Sequence, residues 1–450
     1  MSGRQSNVEL NTSRVALPSA YRISEIVLKN YKGTEYNIQR VVADFSITES
    51  IYRSTLMLNL SIRDDSSFME QASLSGHEWI QVVLEKTLPS GDVENVDLEF
   101  RVTEYPIYSK FNNGVQAYRL NAISPHAYTS KFKKISRAFR GKIGDFVEAV
   151  LKNDLGVDED MIDISPKATG NVVFVVPNME PMDAMHWAIR RAFSEEGSPF
   201  YLYQTLDGVI HLKSQSELVQ QDNYRTYQEG KFFQYDMMTE PEEAYNERAE
   251  RIMSIDSDIN MSKILMAANG AYASRTEYVD LSTKAYSVSK FNYSERVKDF
   301  PTVEEYPFVY NAFEVDEGNK IGSYDAAKLN FISLNSLAYS DPFANYHATS
   351  SGGTVNQAQS QLETLDAIQH TVLLHGDFNL NCGKTIELKI PPAWDPTPSK
   401  TNVHRSDDPT LNDYVSGSYV VSAVVHNFST DYYAEVKVKR DSTPTDPFTS

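Results

Sequence analysis

The stretch HGDFNLNCGKTIELKI, His375–Ile390, admits two readings, and the choice between them decides the fold. Gly383-Lys384-Thr385 is how a phosphate-binding loop ends, which would put a nucleotide-binding α/β core here. That loop requires a glycine at position 378 and a helix after the threonine. Position 378 is Phe378, and Gly376 leaves six intervening residues where four are needed. Beyond Thr385 the chain alternates Ile386, Leu388, Ile390 and runs into Pro391 and Pro392, the pattern of a strand. The stretch therefore reads as a turn, Gly376 to Gly383 with Asp377 inside it, that delivers the chain into a β-strand. The glycines supply backbone freedom. Cys382 is the only cysteine. A catalytic thiol needs a base beside it, and His375 stands seven residues away across the turn, so Cys382 reads as a small turn-end residue.

Upstream, the first block alternates in the same way. ISEIVLKNY, VVADFSITES, STLMLNLSIRD, WIQVVLEKT, VDLEFRVTEYPIY and GVQAYRLNAIS form a run of about six strands, with LPSGD and FNNG as turns. Leu56, Leu58, Leu60 and Ile62 share one face. Short strands without helical breaks predict a small barrel or sandwich. After Pro125 the period changes. Ile143, Phe146, Val147, Val150, Leu151 and Leu155 form one helical stripe that stops at Gly156. A second helix opens at Pro181 and Asp183 and is expected to end at Gly197. PFYLYQTLDGVIHLKS predicts a hairpin about Asp207-Gly208. Residues 126 to about 225 thus read as an α/β module. FFQYDMM and ERIMSIDSDI are candidate strands, and residues from about 263 look like an extended, irregular insertion. It ends in a helix over about 355–369 with Leu362, Leu365 and Ile368 along one side. HTVLLHGD, KTIELKI, GSYVVSAVVHNFS and YYAEVKVKR return to strands, with a long Pro/Asp/Ser loop at 391–413 among them. DSTPTDPFTS reads as a disordered tail.

The chain has 450 residues and a formal charge of -19. That balance excludes nucleic-acid binding over a broad basic face, although an acidic wall suits a passage that must not hold DNA. One cysteine makes no internal disulfide and no thiolate zinc site. The N-terminus lacks an apolar signal segment and no run reaches membrane-spanning length, which predicts a protein made in the cytoplasm. The histidines form no HxH or HExxH; His186, His211 and His426 read as packing or surface residues, so no metal is expected. Asp64-Asp65, Glu195-Glu196 and Asp407-Asp408 read as solvated acids, because neighbouring carboxylates do not make the facing pair that glycoside hydrolysis needs. No nucleophile elbow is present, so no enzyme and no cofactor is expected.

Read in order, several of these stretches resemble the baseplate hub protein of contractile-tailed bacteriophages, a family related to the N-terminal hub part of type VI secretion spike proteins. The stretches are VVADFSITESIYRSTLMLNLSIRDDSSFMEQASLSGHEWIQVVL, PMDAMHWAIRRAFSEEGSPFYLYQTLDGVIHLKS, HGDFNLNCGKTIEL and SGSYVVSAVVHNFSTDYYAEVKVK. In that family a G-[DN]-x-x-L-x-x-G turn opens a strand of the second barrel. Gly376, Asp377, Leu380 and Gly383 stand at those places. The resemblance implies an α+β chain with two small antiparallel β-barrel (tube-type) domains, and an α/β module and an irregular insertion between them. The expected organisation is a flexible arm at 1–16, a first barrel at 17–125 and the module at 126–225. A second barrel is built from 226–262 with 370–440, around an insertion at 263–369, and a disordered tail occupies 441–450. The resemblance also implies a non-enzymatic homotrimer in the virion tail baseplate. Its partners would be a central spike protein, a tail tube or tube-initiator protein and neighbouring baseplate proteins, with DNA only in transit. Two barrels in each of three copies would present sixfold symmetry to a tube and threefold symmetry to a spike. The alternatives are a tail-associated cell-wall hydrolase, which needs an acid pair in a cleft, and the hub part of a secretion-system spike, which is expected to continue into a β-helical needle where this sequence has DSTPTDPFTS.

Overall fold

The computed structural model describes residues 17–104, 108–110, 114–165, 172–190, 193–194, 196–229, 241–258, 263–281, 283–307, 314–334, 352–391, 411–412 and 415–445. The arm at 1–16, FFQYDMM, Glu195, nearly all of the 391–413 loop and residues 446–450 lie outside them.

In the first block the predicted strands appear as β1 (Arg22–Lys29), β2 (Glu35–Asn37), β3 (Val42–Ser50), β4 (Arg53–Asp64), β5 (Trp79–Thr87), β6 (Val93–Val102), β7 (Tyr108–Lys110) and β8 (Gln116–Ile123). All their pairings are antiparallel, in the order β3-β4-β8-β6-β5-β1-β2. Leu56, Leu58, Leu60 and Ile62 are buried on one face of β4, against Ile26, Leu28, Ile80, Val82 and Phe100. Each such side chain contributes about 2 kcal/mol by leaving water. Residues 35–50 have different neighbours at their two ends. Glu35–Asn37 pair with β1, and Val42–Ser50 pair with β4. Between them the Ile38 amide donates to Ile26 and the Arg63 amide to Val41.

The α/β module has its own core. The helix Ile143–Ala149 continues as a π-helical turn through Asp154, and Phe146, Val147, Val150 and Leu151 are fully buried against the helix Pro181–Ile189. Two small sheets complete the module. One is the antiparallel pair β9 (Ala138–Gly141) and β11 (Val172–Val175); the other is β10 (Ile162–Ile164), β13 (Ile210–Ser214) and β12 (Phe200–Gln204), with β12 and β13 joined at Asp207-Gly208. The second helix ends at Ile189, short of the expected Gly197, which instead closes a turn by donating its amide to Ser194.

The second β block comprises β14 (Asn223–Glu229), β15 (Arg251–Ile252), β16 (Ser254–Asp258), β23 (Ile368–His375), β24 (Thr385–Lys389), β25 (Gly417–Phe428) and β26 (Tyr432–Arg440). Here residues 251–258 serve two neighbours: β15 pairs with β14 and β16 with β23. The pairings β14–β15 and β14–β24 are parallel, a departure from the all-antiparallel expectation. The two blocks are not separate sheets. The end of β25 pairs with β3, Phe428 opposite Phe45, so that one network of 15 strands runs through both. Two cores persist within it, one in each block.

The insertion is more regular than its sequence suggests. The helix Lys263–Asn269 leads into β17 (Ala273–Asp280) and β18 (Ala285–Asn292), which form a sheet with β22 (Leu329–Leu334); β19 (Tyr306–Pro307) and the short pair β20 (Glu314–Asp316) and β21 (Asn319–Lys320) lie between. The closing helix is Gly352–Leu365, and Ile368 already belongs to β23. Its buried side is largely polar: Asn356, Gln357, Ser360, Gln361 and Thr364 face inward with Ala358 and Leu365, while Leu362 is exposed. Of the expected apolar stripe, Leu365 and Ile368 are buried as read and Leu362 alone is exposed, so polar residues share the buried side with Leu365 and Ala358. The tail is ordered further than expected. Asp441, Ser442 and Thr443 are buried, and β27 (Ser442–Thr443) pairs with β19 of the insertion.

Candidate functional site

Strand β3 turns Phe45, Ile47 and Glu49 to the same side, so its alternation sends a carboxylate into the interior. Glu49 is fully buried. A buried carboxylate is tolerable only when charge-assisted hydrogen bonds replace its water. Glu49 Oε1 accepts from the Cys382 amide at 2.6 Å, and Oε2 accepts from the Leu206 amide at 2.8 Å. One side chain of the first block thus holds the tip of the β12–β13 hairpin and the Gly376–Gly383 turn together. His426, also fully buried, approaches from β25: its Nε2 lies 3.6 Å from Glu49 Oε1 and its Nδ1 lies 2.8 Å from the Tyr432 hydroxyl.

The five turn residues singled out in the sequence lie in the two turns that this carboxylate holds. Asp207 Oδ1 accepts from the Val209 amide at 3.1 Å, and Gly208 has φ +86°. Gly376 donates its amide to Tyr432 and accepts from the buried ammonium of Lys86 on β5. A Cβ at 376 would run into the Tyr432 ring, so packing alone demands glycine there. Asp377 Oδ2 accepts from the Tyr224 hydroxyl at 2.8 Å and from Arg225 Nη1 at 3.1 Å. Asn379 donates to Glu94 of β6 at 2.6 Å. Gly383 has φ +85° and presses against the Tyr203 hydroxyl. After it comes strand β24, as read from the alternation of Ile386 and Leu388.

Electrostatics fit a holding role. Burial, with Glu49 and Asp207 near, pushes the Cys382 thiol well above its ordinary value, which keeps it protonated. Burial pulls the Lys86 ammonium down, against the pull of Asp377 and Glu94. Burial and Asp377 push the Glu94 carboxyl up. Both oxygens of Glu49 are engaged by backbone amides, which fixes chain positions.

The remaining candidates are dispersed. His186 Nε2 lies 2.9 Å from Ser54 Oγ, and His211 Nδ1 lies 2.9 Å from Asp163. Among the described residues no group of three or more His, Cys, Asp or Glu side chains could hold a metal ion. Asp64 is not the solvated acid expected. It is buried and accepts from the amides of Ser66 and Met69, and these bonds hold its carboxyl below the usual range despite burial. Glu195 and the pair Asp407-Asp408 lie outside the described residues. Sequence reading missed Glu49 as the organiser. Its one signal is an acid in phase with Phe45 and Ile47, where the pattern calls for an apolar residue.

No protein-family model and no curated protein matches the chain. Solved structures do match. The 43 kDa tail protein of prophage MuSo2 from Shewanella oneidensis aligns with a TM-score of 0.53 at 8% identity, over 93% of this chain and 98% of that one. A tail protein from Neisseria meningitidis MC58 aligns with a TM-score of 0.49 at 10% identity, over 94% and 97%. A component of the type VI secretion system of E. coli aligns with a TM-score of 0.43 at 8% identity, over 96% and 79%. The Shewanella alignment shows that this chain has the fold of a phage tail protein.

Proposed function

We propose that this chain is a structural subunit of a phage-type tail, the baseplate hub at which a sixfold tube meets a threefold spike. The fold shared with the Shewanella tail protein supports a tail role. The observation that most supports the hub is the path of strand pairing. In the first block it passes β1, β5, β6, β8 and β4 to residues 35–50, whose start lies back on β1. In the second it passes β14, β24, β25, β26 and β23 to residues 251–258, whose start lies back on β14. Each path returns through one strand whose two ends have different neighbours. We read the two paths as two small barrels in one chain, joined side by side by β3 and β25. Three copies of such a chain make a ring of six.

On this reading Glu49, Lys86 and Glu94 set the angle between the barrels, because they anchor the Gly376–Gly383 turn of one to the strands of the other. The partners are two more copies of the chain, a central spike, a tail tube or its initiator and neighbouring baseplate proteins. The role is one of surfaces, without catalysis. The charge of -19 suits a lumen through which DNA passes without sticking. Electron-microscope class averages of the purified chain test the ring. Averages with threefold symmetry and six peripheral lobes are expected. Particles of a single two-lobed subunit at every concentration would overturn the reading.

A further inference from the structure

Charge is spread unevenly along this chain. Residues 105–144 hold eight Lys and Arg and no Asp or Glu, in a sequence of formal charge -19. Three of those cations, Lys131, Lys133 and Lys134, flank Phe132 just after the helix Pro125–Ser130, and all four residues are exposed. The first β block adds a further cation to them. Trp79 of β5 stands opposite Arg101 of β6, and the Arg101 guanidinium lies 4.2 Å from the centre of the Trp79 ring and 4.5 Å from that of Tyr128. Tyr128 in turn meets Phe132, with 5.1 Å between ring centres, and its hydroxyl lies 2.9 Å from His77 Nδ1. The result is a ladder of Trp79, Arg101, Tyr128 and Phe132, whose two ends are 37% (Trp79) and 72% (Phe132) exposed. Carboxylates neutralise this patch only in part. Lys131 and Lys134 share Glu180, at 2.7 and 3.2 Å, and Lys133 donates to the Asp154 carbonyl. Among the described residues Arg101 hydrogen-bonds only to the His77 carbonyl, at 3.2 Å. Fixed aromatic rings and an arginine at the surface, with lysines around them, have the composition of a binding hot spot.

We infer that this ladder, with Lys131, Lys133 and Lys134, is the basic half of a contact between copies of the chain and seats on an acidic surface of its neighbour. The inference rests on the homotrimer reading above and adds to it one side of the contact. A ring of three closes through heterologous contacts, in which each patch meets an unlike one. This patch does not suit itself, because like cations would face each other; it calls for carboxylates. A second copy supplies them, since the chain outside residues 105–144 is more acidic than the whole. Asp158, Glu159 and Asp160, exposed beside the exposed Met161, form one such surface, with an apolar residue to set against Phe132. Repulsion between copies of charge -19 acts at range and is screened beyond about 10 Å in salt, whereas pairs of lysine and carboxylate form at contact. A nucleic acid is the poorer occupant, because it brings a denser negative charge against the same field.

Sedimentation velocity over a concentration series, on the full chain and on Lys133→Glu and Phe132→Asp, tests the inference, with circular dichroism on each. The wild type is expected to assemble. Each variant is expected to associate at least about tenfold more weakly, the effect of losing one hot-spot side chain, with an unchanged dichroism spectrum. Variants that assemble like the wild type would overturn this contact and leave the homotrimer reading standing. Variants that assemble unchanged but lose a single-stranded oligonucleotide that the wild type holds would overturn it in favour of a nucleic-acid surface. A wild type that stays monomeric throughout would overturn both the contact and the homotrimer. If the variants do not fold, carbodiimide, which joins an amine directly to a carboxylate, decides on the wild type. In a mixture of unlabelled and heavy-nitrogen chains, links from Lys131, Lys133 or Lys134 to an Asp or Glu of another copy support the contact. An assembled wild type in which these lysines link only within their own copy overturns it.

Discussion

Glu49 shows how one residue can organise three regions of a chain. Its two oxygens are the acceptors for amides at 206 and 382, so removing them leaves two buried donors without partners. Glu49→Ala is expected to cost about 3 kcal/mol, read as a lower urea midpoint, with Glu49→Gln milder because one acceptor remains. An unchanged midpoint in Glu49→Ala would show that the turns are held by other means. Gly376→Ala should cost more than a surface substitution, since its Cβ has no room beside Tyr432. His370 gives a pH prediction. It is buried on β23 between Ser257 and Tyr419, and burial, then the Arg440 cation, pulls it down to about 4. A folded value below the unfolded one means that the neutral ring stabilises the fold above about pH 6.5. That contribution is lost as pH falls from there through 4, by about 3 kcal/mol in all. Urea unfolding at pH 7 and pH 4.5 should show the fall, and His370→Gln should flatten it.

At the scale of elements, the joint between the two β blocks is the pairing of β3 with β25, and Phe428 is its aromatic pin. Its ring stacks on Phe45 at 4.7 Å and on Tyr432 at 4.4 Å. Phe428→Ala is expected to cost about 3–5 kcal/mol, and hydrogen exchange should then quicken in strands of both blocks together. Faster exchange confined to one block would mean that the joint does not couple them. The strands were legible in the sequence because alternation is a local property: Leu56 to Ile62 and Ile386 to Leu388 declare a buried face without reference to anything distant. The same holds for the stripe from Ile143 to Leu155. The helix Gly352–Leu365 was legible as a helix, and Leu365 and Ile368 of its stripe are buried, but the polar residues that share its buried side were not legible, because Asn356 finds its partner in Thr276, far away in sequence. Glu49 was illegible as a site for the same reason. An acid in a strand reads as solvated until the amides of Leu206 and Cys382 are seen to reach it. The turns at Asp207-Gly208 and Gly376–Gly383 were visible in the sequence, yet nothing local says that they meet.

As a whole molecule, the chain of 450 residues is proposed above as a part of an assembly, and its charge bears on how copies would meet. Its buried polar network ties the Gly376–Gly383 turn to strands of the first β block. The repulsion expected between copies of charge -19 also means that assembly should strengthen with salt, as screening shortens the range of that field. The most direct test of the hub is the mass of the purified chain in solution, measured by light scattering at physiological salt. A homotrimeric hub predicts three times the 50.9 kDa of one chain, held across a wide range of concentration. A species of 50.9 kDa that persists at the highest concentration would contradict it.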